Sequence, residues 1–149
     1  MGGAGMSVHF SSQTDNWATP IEYFNNLSKL FNFTLDPCAS ASNAKAPKFF
    51  TVEQDGLAQC WETEGAVFLN PPYGRGISKW IAKAYQTALD GTPVVCLLPA
   101  RTDTRWWRDY CSKGIVHFVS GRLKFGGAKY NAPFPCAIVI FANLDARAV

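Results

Sequence analysis

The order of apolar and polar positions divides the chain into short elements of two kinds. Ile21, Phe24, Leu27, Leu30 and Phe31 recur at spacings of three and four, which marks one helix face. Thr19 before Pro20 suits an N-cap followed by proline at the first helical position, with Glu22 in the first turn. Phe33–Leu35 predicts a short strand running into Asp36-Pro37. Residues 37–48 are small and polar and read as a loop, Phe49–Val52 predicts a second short strand, and Asp55-Gly56-Leu57 a turn. Ala66–Leu69 is a continuous apolar run, as expected of a strand covered on both faces, and Pro71-Pro72 ends it. Ile77–Leu89 is helical in pattern, Pro93–Leu98 is a second apolar strand stopped by Pro99, and Asp103–Cys111 is helical again. Ile115–Val119, Arg122–Phe125 and Ala137–Phe141 predict three more strands, the last two joined by a glycine-rich loop.

Strands alternating with helices, then a terminal strand pair, predict a three-layer α/β domain with a mixed sheet. The 149 residues fit one domain, 14–149, behind a leader at 1–13 that reads as flexible. That leader has no basic region and no long apolar stretch, so it does not read as a signal peptide. No apolar run reaches membrane-spanning length, so no membrane partner is expected. The five cysteines are an odd number, widely spaced and without C-x-x-C, and only His9 and His117 are available as histidines. A metal site, a disulfide framework and a Ser-His-Asp triad are therefore not expected, and reduced thiols in a cytoplasmic protein are.

Charge adds an asymmetry. Residues 1–74 hold three basic and seven acidic residues, a balance of −4, whereas residues 75–149 hold eleven basic and four acidic, a balance of +7. The basic C-terminal half suits a polyanionic partner.

In open α/β sheets ligands bind beyond the carboxyl ends of the strands, and four sequence features fall there. Leu35-Asp36-Pro37-Cys38-Ala39 puts a carboxylate at a strand end before small residues that let a ligand approach the backbone. Asn70-Pro71-Pro72-Tyr73 follows a buried strand, and its prolines fix φ and make a stiff turn. An amine conjugated to a purine is a poor nucleophile, because its lone pair is delocalised into the ring. Asn70 Oδ1 and the Pro71 carbonyl can draw its hydrogens out of plane and free that lone pair, a task of positioning rather than of strong base catalysis. Tyr73 offers an aromatic face to an extruded base. The third feature, Leu98 to Arg108, carries Arg101, Arg105 and Arg108 beside Trp106 and Trp107, a composition suited to phosphates and bases. In the fourth, Gly121 to Gly127, Arg122 and Lys124 flank Phe125; Pro133-Phe134-Pro135 follows, and Phe125 or Phe134 could form a second wall of a base pocket.

Together these residues resemble the phage-type DNA N6-adenine methyltransferase (Dam) family over nearly the whole chain, from Trp17 to Phe141. The resemblance rests on W-x-T-P at Trp17–Pro20, L-D-P-C-A at Leu35–Ala39 and D-G-L at Asp55–Leu57. It rests also on N-P-P-Y at Asn70–Tyr73, L-P-A-R-T-D-T-x-W-W at Leu98–Trp107, G-R-L-K-F at Gly121–Phe125 and A-P-F-P at Ala132–Pro135. It implies a Rossmann-like fold with S-adenosylmethionine as methyl donor, and transfer to N6 of adenine in DNA. It implies that Asn70, Pro71, Pro72 and Tyr73 hold the target adenine. It further implies that Trp17, Thr19, Pro20, Asp36, Pro37, Cys38, Ala39, Asp55, Leu57 and Asn70 line the cofactor site, with Thr19 and Pro20 closing over it. Tyr73, Arg75, Arg101, Arg105, Arg122, Lys124, Phe125 and Phe134 fall to the nucleic acid.

The sequence departs from the pattern of many methyltransferases in two places: Pro37-Cys38-Ala39-Ser40 replaces a glycine-rich first turn, and no clear acidic residue for the cofactor ribose is evident, Glu53 being the candidate. Sequence readout is left to loops after Tyr73, Arg101 or Arg122, or to a second subunit, so a monomer or a homodimer is expected, acting in the cytoplasm (that of a host, if a phage encodes it). Two other readings stand beside this one. An N-P-P-Y methyltransferase can act on RNA or on a protein glutamine, and a chain with a decayed cofactor site can be a non-catalytic DNA-binding module.

Overall fold

The computed structural model describes residues 17–126 and 130–144; the leader at 1–13 lies outside the described residues. The apolar runs become a six-stranded sheet. Its strands are β1 (Phe33–Asp36), β2 (Lys48–Phe49), β3 (Ala66–Leu69), β4 (Val94–Pro99), β5 (Ile115–Phe118) and β6 (Cys136–Phe141), in the spatial order β2-β1-β3-β4-β6-β5. Strands β2, β1, β3 and β4 pair in parallel, and β6 runs antiparallel to both β4 and β5. Every residue of β3 and β4 is buried, which is why neither alternates in polarity, whereas the edge strand β5 is mostly exposed.

The α-helices among the described residues are α1 (Ile21–Ser28), α2 (Ile77–Leu89) and α3 (Arg105–Asp109). Phe24 of α1 sets its ring 5.4 Å from Phe33 and 5.0 Å from Phe68, so α1 is held on the sheet by an aromatic cluster. Ile77, Ile81, Ala84 and Ala88 form the buried stripe of α2, at the helical spacing that the sequence predicts. Among the described residues no helix is long and apolar enough to cross a membrane.

Several boundaries differ from expectation. The first helix stops at Ser28, and Leu30, expected on its apolar face, is 78% exposed in the turn that leads into β1. Thr19 is not the N-cap: Pro20 occupies that position without a side-chain cap, and its carbonyl accepts from Phe24 N at 3.0 Å. The second strand is shifted to Lys48–Phe49, and Val52–Gln54 form a 3₁₀ turn closed by Thr51 and Gln54. The expected strand at Arg122–Phe125 is absent. Among the described residues that segment joins no strand: its Leu123 carbonyl accepts from Ala132 N at 2.7 Å, and the one isolated bridge nearby joins Gly126, just after it, to Ala18. The expected helix at 103–111 is five residues long, capped by Thr104, and a 3₁₀ turn follows at Cys111–Lys113.

The connectivity locates a crevice. From β1 the chain passes to β2 on one side of it, and then returns to form β3 on the other. Connections that leave neighbouring parallel strands in opposite directions open a gap at their carboxyl ends. Asp36 ends β1 and Asn70 follows β3, so two of the motifs meet at that gap.

Candidate active site

A cavity of about 100 Å³ occupies the gap. Asp36, Cys38 and Lys45 wall it from the β1 side, Phe68 and Asn70 from β3, and the segment Trp17–Thr19 closes it. The volume is well below the roughly 300–1,000 Å³ of sites that enclose a whole small molecule. A more open cleft of about 400 Å³, walled by Phe24, Lys29, Phe31 and Phe33 at the start of β1, contains none of the motif residues.

Asn70 is the best-defined group in the site. Its Nδ2 donates to the Trp17 carbonyl and, at 2.8 Å, to Thr19 Oγ1. Both amide hydrogens are thereby taken. The Trp17 carbonyl can only accept, so it fixes which way the amide faces. Asn70 Oδ1 is left buried with no hydrogen-bond partner. A buried acceptor without a donor is rare and costs about 1–3 kcal/mol.

Asp36 is 4% exposed. Its Oδ1 accepts from Cys38 N at 3.3 Å and its Oδ2 from Lys45 N at 2.9 Å, so the carboxylate ties both ends of the 37–45 loop to the tip of β1. Burial raises its pKa to about 6, opposed by those two backbone bonds and by the Lys45 charge. The neighbouring Cys38 thiol is pushed up to about 12 by burial, with a smaller contribution from Asp36, so it stays protonated at neutral pH.

The D-G-L turn packs directly on this loop. A Cβ on Gly56 would lie 2.0 Å from the Pro37 carbonyl oxygen, so only glycine fits. Trp61 Nε1 donates to the Gly56 carbonyl at 2.8 Å, and Trp61 stacks on Trp80 at 5.9 Å, which holds the turn against α2. Asp55 itself is exposed in a left-handed conformation with φ of 56°, and Leu57 is half-buried beside it.

The aromatic walls differ from expectation. Tyr73 does not present an open face: it is 7% exposed, its hydroxyl donates to the Leu97 carbonyl at 2.9 Å, and burial raises its pKa. Its ring meets Phe134 at 5.6 Å and Phe125 at 6.1 Å, both edge-on. Phe125 is 2% exposed and is core, leaving the half-buried Phe134 as the aromatic at the surface of the cluster. Trp106 and Trp107 are core as well, because α3 turns them inward, while Arg101, Arg105 and Arg108 stay exposed. Arg101 lies over the Phe134 ring at 5.9 Å, Arg122 donates to the Ala132 carbonyl at 3.4 Å, and Arg75 and Lys124 are exposed. Arg108 is paired with Asp109 at 3.1 Å. All five cysteines are unpaired.

The sheet, the crevice at its strand ends and the unpaired Asn70 oxygen on its cavity define a mixed α/β protein in which two of the motifs meet at one pocket. The chain belongs to the DNA N-6-adenine-methyltransferase (Dam) family, whose model matches residues 7–144. It is 32% identical over 96 residues to a protein of Escherichia phage T1 named DNA N-6-adenine-methyltransferase, a match that covers 64% of this chain and 40% of that protein. It is 40% identical over 65 residues to YfdM of Escherichia coli (strain K12), whose name marks it as a candidate methyltransferase; there the match covers 40% of this chain and 71% of the relative.

Proposed function

We propose that the chain transfers a methyl group from S-adenosylmethionine to N6 of adenine in DNA, within a Rossmann-like, three-layer methyltransferase fold. Family membership supports the reaction class. The observation that carries the chemistry is the buried Asn70 Oδ1, which lacks a donor while its own amide hydrogens are held by Trp17 and Thr19.

The cofactor supplies an electrophilic methyl group on a sulfonium centre. The loop that Asp36 ties to β1 and the D-G-L turn packed on it would hold that group largely through backbone, with Cys38 in the cavity wall and Pro37, Ala39, Asp55 and Leu57 as the further contacts proposed. Asn70 Oδ1 accepts one hydrogen of the target amine, and the Pro71 carbonyl accepts the other. These acceptors would pull the nitrogen from planar towards tetrahedral and turn its lone pair towards the methyl group; the new N–C bond would form as the methyl–sulfur bond breaks, and the nitrogen would then give up one of its protons to water. Asn70 needs no charge for this, because it positions the amine and does not deprotonate it before attack. Pro72 stiffens the turn, and Tyr73 anchors it through the Leu97 carbonyl.

The exposed Arg75, Arg101, Arg105, Arg122 and Lys124 suit phosphate contacts, in keeping with the basic C-terminal half. A nucleic-acid substrate would place the protein in the cytoplasm, that of the host if a phage encodes it. Incubation with methyl-labelled S-adenosylmethionine and, separately, duplex DNA, RNA and a protein mixture tests the reading. Label should enter DNA and digest to N6-methyl-2′-deoxyadenosine. Label confined to RNA or protein, or none bound at all in a cofactor titration, would refute it.

A further inference from the structure

Among the described residues, the buried side-chain polar atoms without a hydrogen-bond partner are two: Asn70 Oδ1 and Trp17 Nε1. One is an acceptor and the other is a donor only. Both residues wall the same cavity. Nearly all buried polar groups in folded proteins are paired, so two orphans on one cavity call for a ligand that brings both complements.

The indole is not free to seek solvent. Its ring lies 5.3 Å from Phe125 and 5.3 Å from Phe134, tilted on the first and edge-on to the second. Its backbone is held on both sides: the Trp17 carbonyl accepts from Asn70, and the Ala18 carbonyl accepts from Gly126 N at 2.7 Å. The unpaired N–H is thus as fixed as the unpaired Asn70 oxygen.

We infer that Trp17 Nε1 donates to the ring nitrogen beside the exocyclic amine of the target base, N1 or N7 of adenine, and so helps select the base. This rests on the proposed methylation of an amine held by Asn70. An amino-substituted base offers an N–H donor beside a ring-nitrogen acceptor, which complements the Asn70 oxygen and the Trp17 N–H together. Guanine and thymine offer a carbonyl beside a ring N–H on the pairing edge. There oxygen would face oxygen and N–H would face N–H, and each mismatch leaves a buried group unpaired. Trp17 is then a specificity residue for the base rather than a cofactor contact.

The test uses DNA duplexes carrying a mapped target site in which the target base is adenine, 1-deazaadenine or 7-deazaadenine. Single-turnover transfer is measured at saturating labelled S-adenosylmethionine for the wild type and Trp17→Phe, with cofactor affinity measured by calorimetry. The wild type should lose about tenfold or more on one deaza analogue, the one lacking the nitrogen that Trp17 reads, and little on the other; a single lost hydrogen bond of this kind is worth about that factor. Trp17→Phe should be slower on adenine by a similar factor, no longer distinguish adenine from that analogue, and keep its cofactor affinity. The inference fails if the wild type treats all three bases alike, a result that does not depend on the variant folding. It also fails if Trp17→Phe keeps the full discrimination, or if it loses cofactor affinity with discrimination intact. Absence of transfer to adenine itself would refute the proposed function, whereas equal transfer to all three bases refutes only the role of Trp17.

Discussion

Thr19→Val tests how Asn70 is held. Valine has nearly the shape of threonine, so the substitution removes one hydroxyl and little else. In the native protein Thr19 Oγ1 accepts from Asn70 Nδ2 at 2.8 Å and is itself 6% exposed. Without it, one Asn70 amide hydrogen is buried without an acceptor, at a cost of about 1–3 kcal/mol. The Trp17 carbonyl still disfavours a flipped amide, so Oδ1 keeps its general direction and loses its fixed tilt. A restraint worth about 1.4 kcal/mol at the reacting nitrogen corresponds to about tenfold in rate. The expected outcome is a fall in kcat of about tenfold, a fall in stability of about 1–3 kcal/mol by urea unfolding, and unchanged affinity for S-adenosylmethionine. Thr19→Ser should restore the rate, since it restores the acceptor. Single-turnover methyl transfer and calorimetric cofactor titration are the assays. A Thr19→Val protein with full kcat would refute the reasoning. Lost cofactor affinity at unchanged kcat would return Thr19 to the cofactor contact that the family resemblance implies.

Three further outcomes are expected. Gly56→Ala forces a Cβ to within 2.0 Å of the Pro37 carbonyl, a backbone atom with little room to give, and should destabilise the fold by about 1–3 kcal/mol or more in urea unfolding. Asp36 has a pKa raised from 3.8 to about 6, so the folded state binds more protons than the unfolded state between those values. Its contribution to stability is therefore fully present below 3.8 and lost as pH rises through about 6, which makes the protein about 1.4 kcal/mol more stable at pH 5 than at pH 7.5 from this group alone. Comparing urea midpoints at the two pH values for wild type and Asp36→Asn isolates the effect, which the variant should lack. Tyr73→Phe removes the buried hydrogen bond to Leu97 that anchors the Asn70–Tyr73 turn and should cost about 1–1.5 kcal/mol in thermal unfolding, with a modest loss of transfer rate at unchanged cofactor affinity; an unchanged unfolding temperature would contradict the anchoring role.

The elements legible in the sequence were those whose pattern has a single cause. The run Ala66–Leu69 and the stripe along Ile77–Leu89 match their observed limits, because full burial and one-sided burial leave different periods. Arg122–Phe125 misleads because its alternation resembles a strand, yet a strand requires a paired neighbour, and among the described residues this segment has a single backbone bond to Ala132 and no strand beside it. The first helix was overextended because Leu30 and Phe31 continue the period, although the chain there already turns towards β1.

The site divides in the same way. Asp36 and Asn70 could be placed from the strand-end rule, since each follows an apolar run. The hold on Asn70 could not, because one of its two acceptors is a backbone carbonyl and both lie more than fifty residues away in the chain. Nor could the orientation of Tyr73: a tyrosine after two prolines suits an open stacking face as well as a buried anchor, and only the Leu97 carbonyl of β4 decides.

The central claim is that Asn70 presents its side-chain oxygen to the amine of adenine in DNA. Its most direct test is a quantitative nucleoside analysis of DNA after incubation with S-adenosylmethionine and either wild-type protein or Asn70→Ala, with cofactor binding measured on both. The wild type should give N6-methyl-2′-deoxyadenosine and Asn70→Ala none above background, with equal cofactor affinity. Full methylation by Asn70→Ala, or methylation of a different base by the wild type, would contradict it.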